Sequence, residues 1–299
     1  VRIRLSTIVL GLLLGVGMLA LPSPSVKPAQ MMLVQVERAS TVDTDPDVIW
    51  ILAVGSDARP GEDMTRTRGD ALQLIGMNTK TGAAAAIGIP RDSYVNIPGY
   101  GSNRVNAALY YGGPQLLGET IGDMVGIYPE YVFVTQFKLF QAMVDSIGPI
   151  YVHNPVAFSD TYLKPNGFET GRIKLSGYTA LAFSRSRHGL INGDFDRSAN
   201  QQRVIIGIQE KIREKAKTRG WLERGVLTAM ANMDTGGASP AVLYRLAHAA
   251  ASLRSSKFTT CVVQGGYATI GGASVVTPYL DQARAYGDDA RNDAVLDGC

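Results

Sequence analysis

Six short segments of this 299-residue chain concentrate arginine and aspartate. "GSDAR" carries Asp57 and Arg59, "RTRGD" carries Arg66, Arg68 and Asp70, and "IPRD" carries Arg91 and Asp92. "SNRVN" adds Arg104, "SRSRH" adds Arg185 and Arg187, and "GDFDRSANQQR" adds Asp194, Asp196, Arg197 and Gln201. Arginine stays protonated in a protein, and its planar fork takes phosphate oxygens two at a time. Paired carboxylates offer hard oxygen ligands to an ion such as Mg²⁺ beside a phosphate. Together the two residue types describe a diphosphate clamp, able to neutralise charge on a departing phosphate. Each segment alone has a blander reading. Arg-x-Arg decorates many solvated faces, Asp57 and Asp70 suit loops or caps, and Pro90-Arg91-Asp92 is also how a strand ends at a surface.

Other chemistries lack their signatures. There is no P-loop, no G-x-G-x-x-G, no G-x-S-x-G and no H-E-x-x-H. The three histidines, His153, His188 and His248, read as surface or packing residues, with only His188 near the charged segments. A net charge of +3 is too small to argue for a nucleic-acid partner. Neither Cys261 nor Cys299 belongs to a CxxC or Cys/His zinc pattern. In an exported chain an even count reads as one disulfide, against the alternative of two free thiols.

The elements that must hold these side chains follow from the apolar pattern. With 45% hydrophobic and 18% charged residues, the chain is a folded protein. "VIWILAVGSD" (48–57) reads as a buried strand covered on both faces. A hairpin spans 69–89, turning at 78–82, with a helical stretch from about 103 to 124 after it. A strand at 131–137 and a helix at 138–148 come next, then a short strand from Ile150 and a helix from 175 to 183. A long amphipathic helix over 197–217 has Val204, Ile205, Ile208 and Ile212 at helical spacing. Helices at 222–233 and 240–253 precede a strand at 258–263. Such mixed alternation predicts a layered α/β domain over 47–299, with helices on both faces of a sheet.

The N-terminal segment points to export. Arg2 and Arg4 precede Leu5–Leu21, which is uncharged, and no acidic residue occurs before Glu37. As a helix this run covers roughly 25 Å, a little under the ~30 Å hydrocarbon core. It reads as a signal peptide or, favoured by the absence of a clean Ala-x-Ala site, as an uncleaved anchor over 1–22. Residues 23–46 read as a linker. Either way the arginines keep the N-terminus in the cytoplasm and place the remainder outside.

In order, "ILAVGSDAR", "RGDALQLIGMN", "IGIPRDSYVNIPGYG", "VDSIGPIYV", "LAFSRSRHG" and "GDFDRSANQQRVI" resemble the LytR-CpsA-Psr family, over residues 48 to 215. The resemblance implies a membrane-anchored phosphotransferase with an α/β/α sandwich fold, a mixed central sheet and a pocket for a lipid tail. It further implies a polyprenyl-diphosphate-linked glycan donor, a peptidoglycan acceptor, a membrane location and no nucleic acid. By the same resemblance Asp57 and Asp70 hold Mg²⁺, or Mn²⁺ in its place. Arg68 and Arg91 act in catalysis with Asp92, the partner of Arg91 and a candidate proton acceptor. Arg104, Arg185, Arg187, Arg197 and Gln201 bind substrate. Three positions depart from the family pattern: Gly69 stands where serine is frequent, Arg104 where lysine is usual, and Asn200 where an arginine is common. Two rival readings use the same residues, a diphosphatase that delivers phosphorus to water and a binder of lipid or wall polymer without turnover. A DNA-binding regulator fits neither the exported topology nor the lack of a basic recognition helix.

Overall fold

The computed structural model describes residues 31–37, 47–59, 61–236 and 238–299. The expected anchor over 1–22 and most of the linker over 23–46 lie outside them. One part of that linker is a correction: Met31–Gln35 is a strand, β1, closing one edge of the main sheet. Its apolar residues pair with a neighbouring strand instead of spanning solvent. Among the described residues no helix is long and apolar enough to cross a membrane.

The main sheet contains β1, β2 (Val48–Ser56), β3 (Gly69–Asn78), β4 (Ala84–Gly88), β7 (Tyr131–Gln136) and β12 (Phe258–Val262). Their order is β1-β7-β2-β3-β4-β12. β2 runs parallel to β7 and β4 parallel to β12, while β1–β7, β2–β3 and β3–β4 are antiparallel. The sheet is therefore mixed, as the family resemblance implies. Around it lie two small hairpins, β5 (Tyr94–Ile97) with β6 (Gly101–Arg104) and β13 (Gly265–Ile270) with β14 (Ala273–Pro278). Two further pairs join β8 (Ile150–Asn154) to β11 (Gly171–Leu175), and β9 (Phe158–Asp160) to β10 (Lys164–Phe168). The β5–β6 hairpin occupies the beginning of the stretch expected to be helical from 103. That helix, α1 (Ala107–Val125), starts only at Ala107.

Alternation along the strands separates the two faces. Trp50, Leu52, Val54, Leu72, Leu74, Val132 and Val134 pack with Leu117, Ile121 and Val125 of α1. Ala283, Tyr286 and Ala290 of α7 (Leu280–Ala290) complete that layer. On the opposite face, Ile49, Met77 and Tyr131 meet Val226 of α5 (Trp221–Asn232) and Leu243 and Ala249 of α6 (Pro240–Ser252). The same face is also approached by α2 (Phe137–Ile147), α3 (Gly177–Arg185) and α4 (Asp194–Ala216). Helices thus cover both faces.

Local chemistry fixes these helices. Ser176 and Thr179 form a reciprocal capping box at the start of α3. Ser239 caps α6 ahead of Pro240 at its first position. In α4, Asp194 and Asp196 occupy the first turn and Arg213 and Lys215 the last, complementing the helix dipole. A Cβ on Gly88 would lie 2.4 Å from Ser198 Oγ, so the glycine lets α4 approach the sheet closely. Buried Gln202 ties the contact, donating to the carbonyls of Ala86 at 3.2 Å and Cys261 at 2.7 Å. Cys261 and Cys299 are joined as a disulfide with Cα atoms 5.6 Å apart, pinning the C-terminus to β12.

Candidate active site

The face that α5 and α6 fill at one end is hollow at the other. Where Ile49, Ile75 and Met77 would project, the strands present Ala53, Gly55 and Ala71 instead. The space left is a cavity of about 650 Å³, closed by Phe133, Phe137, Phe140, Met143, Leu181, Val204, Ile205 and Ile208. It is largely apolar inside and ringed by Asp70, Arg91, Arg185, Arg187, Arg197 and Gln201. Six of the ten site residues expected from sequence therefore share one rim.

The rim is made by elements that change character along their length. On α4, Arg197, Gln201, Val204, Ile205 and Ile208 fall on one face, charged at the N-terminal end and apolar deeper in. α3 contributes Ser184 and Arg185 at the rim and Leu181 inside. Asp70 arrives by a different device. Gly55 pairs with Ala71 but Ser56 pairs with Gly69, so Asp70 is the extra residue of a β-bulge. Strict alternation would turn it toward the Leu72 face, whereas the bulge re-aims it to the cavity mouth.

Arg91 is the hub. It forms an ion pair and a hydrogen bond with Asp70, and its Nε lies 3.7 Å from Asp92 Oδ2. Asp92 Oδ1 lies 3.7 Å from Arg104 Nε, so the charges alternate Asp70, Arg91, Asp92, Arg104. Both Nε atoms are buried and face Asp92 at ion-pair distance without closing a hydrogen bond. Burial pulls the Arg91 pKa down, but Asp70 and then Asp92 more than offset it, and the net shift is upward. Arg197 pairs with Asp194 in an almost fully buried contact. Burial lowers the Arg197 pKa and raises that of Asp194, each pulled back by its partner. Arg185 stacks 4.2 Å over the Phe137 ring, and its Nη2 lies 3.9 Å from Asp57 Oδ1.

Asp57 and Asp70 are two carboxylates near enough for Asp70 to raise the Asp57 pKa, second only to partial burial. Hard oxygens with mutually repelling charge suit a divalent cation that shares its shell with diphosphate oxygens. Among the described residues no three His, Cys, Asp or Glu side chains converge as a metal site. The pair alone is a partial oxygen set for such an ion, which would need further ligands from outside the protein.

Arg68 lies elsewhere. Its exposed side chain lines a second concavity of about 340 Å³, with Arg104, Tyr94, Asn103, Tyr110 and Tyr111. Two rim residues went unnoticed in the sequence. Gln73, a polar residue inside the apolar run Ala71–Met77 of β3, is buried and donates to Ser198 Oγ at 2.9 Å and Gln201 Oε1 at 3.0 Å. Asp160 accepts backbone N–H groups from Tyr162, Leu163 and Arg187. Burial would raise its pKa, but those three bonds hold it below the ordinary aspartate value.

A mixed α/β sheet with an apolar cavity opening on an arginine-aspartate rim defines the class, and sequence comparison agrees. The LytR_cpsA_psr family model matches residues 25–287, and the chain belongs to that family. Among its relatives, the polyisoprenyl-teichoic acid–peptidoglycan teichoic acid transferase TagU of Bacillus licheniformis is 35% identical over 178 residues, covering 58% of this chain and 56% of TagU. The Bacillus subtilis protein of that name is 34% identical over 167 residues, 55% of this chain and 52% of its own. The chain thus spans about half the length of the curated relatives it matches. Among solved structures, B. subtilis TagT superposes with a TM-score of 0.64 at 25% identity, covering 83% of this chain and 92% of TagT. The family protein YwtF (TagT) with bound octaprenyl pyrophosphate superposes at 0.61 with 24% identity, covering 84% and 92%.

Proposed function

We propose that this chain transfers a glycopolymer from a polyprenyl-diphosphate carrier to a hydroxyl of peptidoglycan. The observation that carries the reading is the apolar cavity with cationic donors confined to its mouth. A polyprenyl tail suits such an interior, at roughly 0.8 kcal/mol per buried methylene, and its diphosphate then rests at the rim. The TagU relatives are named as transferases of this kind, and a protein of the same fold has been solved with octaprenyl pyrophosphate.

In the proposed reaction a sugar hydroxyl attacks the phosphorus that bears the glycan. The bond from that phosphorus to the bridging oxygen breaks, and polyprenyl phosphate leaves with the electron pair. The product is a glycan–phosphate–peptidoglycan diester, and the hydroxyl proton passes to a carboxylate, for which Asp92 is the candidate. Arg91 and Arg197 hold the diphosphate oxygens and meet charge as it grows on the leaving phosphate. Arg185 and Arg187 fix the diphosphate at the mouth, and Gln201, oriented by Gln73, adds an uncharged contact. Asp57 and Asp70 would hold Mg²⁺ or Mn²⁺, which supplies charge neutralisation at the diphosphate. The domain would work outside the cytoplasm, tethered through Leu5–Leu21; a reporter fused after residue 46 and active in the cytoplasm would contradict that placement.

The test combines the full chain in detergent with octaprenyl-diphosphate glycan, Mg²⁺ and peptidoglycan oligomers. Mass analysis should find the diester; free glycan phosphate alone would mean hydrolysis, and unchanged donor would mean binding without turnover. Arg91→Lys keeps charge but loses the fork, so the single-turnover rate should fall about a hundredfold. A wild-type rate for the folded variant would remove Arg91 from the mechanism.

A further inference from the structure

The second concavity is built differently from the lipid cavity. Tyr100 sits at the tip of the β5–β6 hairpin, in a turn closed by its N–H donating to Ile97 O at 2.9 Å. It lies outside the concavity's own lining and backs it by stacking face to face with Tyr111, the ring centroids 4.9 Å apart and the planes within 6°. Tyr110 meets Tyr111 edge-on at 5.8 Å. Gly113, with φ of 72° followed by Pro114, breaks α1 just after these two tyrosines and frees their turn from the helix axis. Arg66 Nη1 holds that turn by donating to Tyr111 O at 2.9 Å. Despite this ordering, Tyr100 and Tyr110 remain 55% and 60% exposed. Rigid aromatic faces kept open to solvent beside fixed polar groups are the features of a binding surface.

We infer that this groove is a saccharide subsite, taking a pyranose of the glycan joined at the diphosphate centre. A pyranose has an apolar C–H face, which packs on a tyrosine ring, and equatorial hydroxyls that need directional partners. Arg68 and Arg104 line the groove beside Tyr110 and Tyr111. Arg104 Nη2 donates to Ser274 O at 2.8 Å and its buried Nε faces Asp92 Oδ1 at 3.7 Å, which fixes the guanidinium beside the groove. The volume of about 340 Å³ lies within the range of small-ligand sites. Position adds to composition. Asp92 touches Arg104 of the groove and Arg91 of the lipid cavity, 3.7 Å from each, so the concavities flank one charged ridge. In-line displacement places attacking and leaving oxygens on opposite sides of phosphorus. With the lipid phosphate leaving toward the cavity, the groove is on the attacking side. The same pyranose chemistry would also serve the donor's own first sugar. The link to the diphosphate rests on the transfer reading; the saccharide preference of the tyrosines does not.

The test measures binding without turnover, by calorimetry on the full chain in detergent. The probes are chitotetraose, bare octaprenyl diphosphate, and octaprenyl diphosphate carrying a disaccharide. Tyr110→Ala, which removes a ring of the groove, should weaken a saccharide-dependent interaction by roughly tenfold; Tyr100→Ala, which removes only the ring stacked on Tyr111, should weaken it less, and both should leave bare octaprenyl diphosphate within about twofold, which also shows that the variants fold. Tyr100→Phe should retain the affinity. Chitotetraose that stays bound when the disaccharide donor saturates the protein assigns the groove to the acceptor. Displacement assigns it to the donor glycan, and both outcomes support a saccharide subsite. Tyrosine-dependent binding with no transfer would leave the subsite standing while the transfer reading fails. Wild-type binding of both saccharide probes by Tyr110→Ala, or no saccharide binding at millimolar concentration, overturns the inference.

Discussion

The two concavities beside Arg91 and Arg104 differ in origin as much as in lining. The larger belongs to the scaffold: Ala53, Gly55 and Ala71 are small residues on regular strands, and Val204, Ile205 and Ile208 lie along one long helix. The smaller is assembled from the β5–β6 hairpin, the first turn of a broken helix and Ile270, Ala273 and Val275 of the β13–β14 hairpin. An apolar tail makes few directional demands, and a gap in side-chain volume between rigid layers is enough to receive it. A ligand of hydroxyls needs donors and ring faces in fixed places, which exposed loops provide once they are tied down. On the proposed reading, the scaffold serves the indifferent part of the substrate, and pinned loops the part with stereochemistry.

Breaking the pin of the smaller site should give the largest stability effect. The Cys261–Cys299 bond closes a separation of 38 residues that contains the whole β13–β14 hairpin but no residue of the lipid cavity. Chain entropy puts such a closure at about 4 kcal/mol. Cys299→Ala is therefore expected to lower Tm by roughly 7 °C. Hydrogen exchange in that variant should rise in β13 and β14 while α4 stays protected. Uniform loss of protection would show that the two regions share one cooperative unit, and an unchanged Tm would remove the bond from the stability of the protein.

Sharpening the contrast from the other side requires filling the scaffold gap. Ala53→Leu adds a branched group inside the cavity, where it displaces about two ligand methylenes at ~0.8 kcal/mol each. The dissociation constant for octaprenyl diphosphate should rise roughly tenfold, measured by calorimetry, with Tm unchanged or higher. Chitotetraose binding should not change. Undiminished lipid affinity in a folded variant would place the tail elsewhere.

Much of the site was legible in the sequence because its residues lie in short local motifs. "IPRD", "SRSRH" and "GDFDRSANQQR" put Arg91, Arg185, Arg187, Arg197 and Gln201 at element ends, and those ends meet at one rim. The strands at 48–57, 69–89 and 131–137 were equally plain, since their apolar runs leave little else to form. What escaped was whatever depends on a partner distant in sequence. The orientation of Asp70 rests on a bulge opposite Gly55 and Ser56, and a bulge is a property of pairing. The separation of Arg68 from Arg91 depends on where the β5–β6 hairpin folds, inside a segment that reads partly as helix. β1 looked like spacer because five residues carry too little periodicity to register, and β7 is what makes them a strand. Gln73 was the readable omission: a glutamine inside "ALQLIG" has to satisfy its amide somewhere, and it does so against α4.

The smallest expected effect concerns Asp57 and Asp70, the proposed ligands of a divalent cation, and it depends on pH. Partial burial first, and Asp70 second, raise the Asp57 pKa above its ordinary value, while Arg185, Arg91 and Arg59 pull the other way. A divalent cation binds the ionised carboxylates, so Mg²⁺ affinity should fall as pH falls, starting above the usual aspartate range. Apo stability runs in the opposite sense. A group whose folded pKa is raised contributes stability that is fully present below its unfolded pKa and is lost as pH rises through the folded value. Acidification from about pH 7 toward pH 4 should therefore shrink the gain in Tm caused by Mg²⁺, while the Asp57 contribution to apo stability grows. Because Asp57 is well exposed, both changes should be only a few degrees or less. Asp57→Asn removes the titrating ligand, so its smaller Mg²⁺ gain should vary little with pH, leaving only what Asp70 retains. Thermal scans of both proteins with and without Mg²⁺ across that range decide it. A wild-type gain that does not change with pH would exclude Asp57 as a ligand, and no gain at any pH would leave the arginines as the sole counter-charge for the diphosphate.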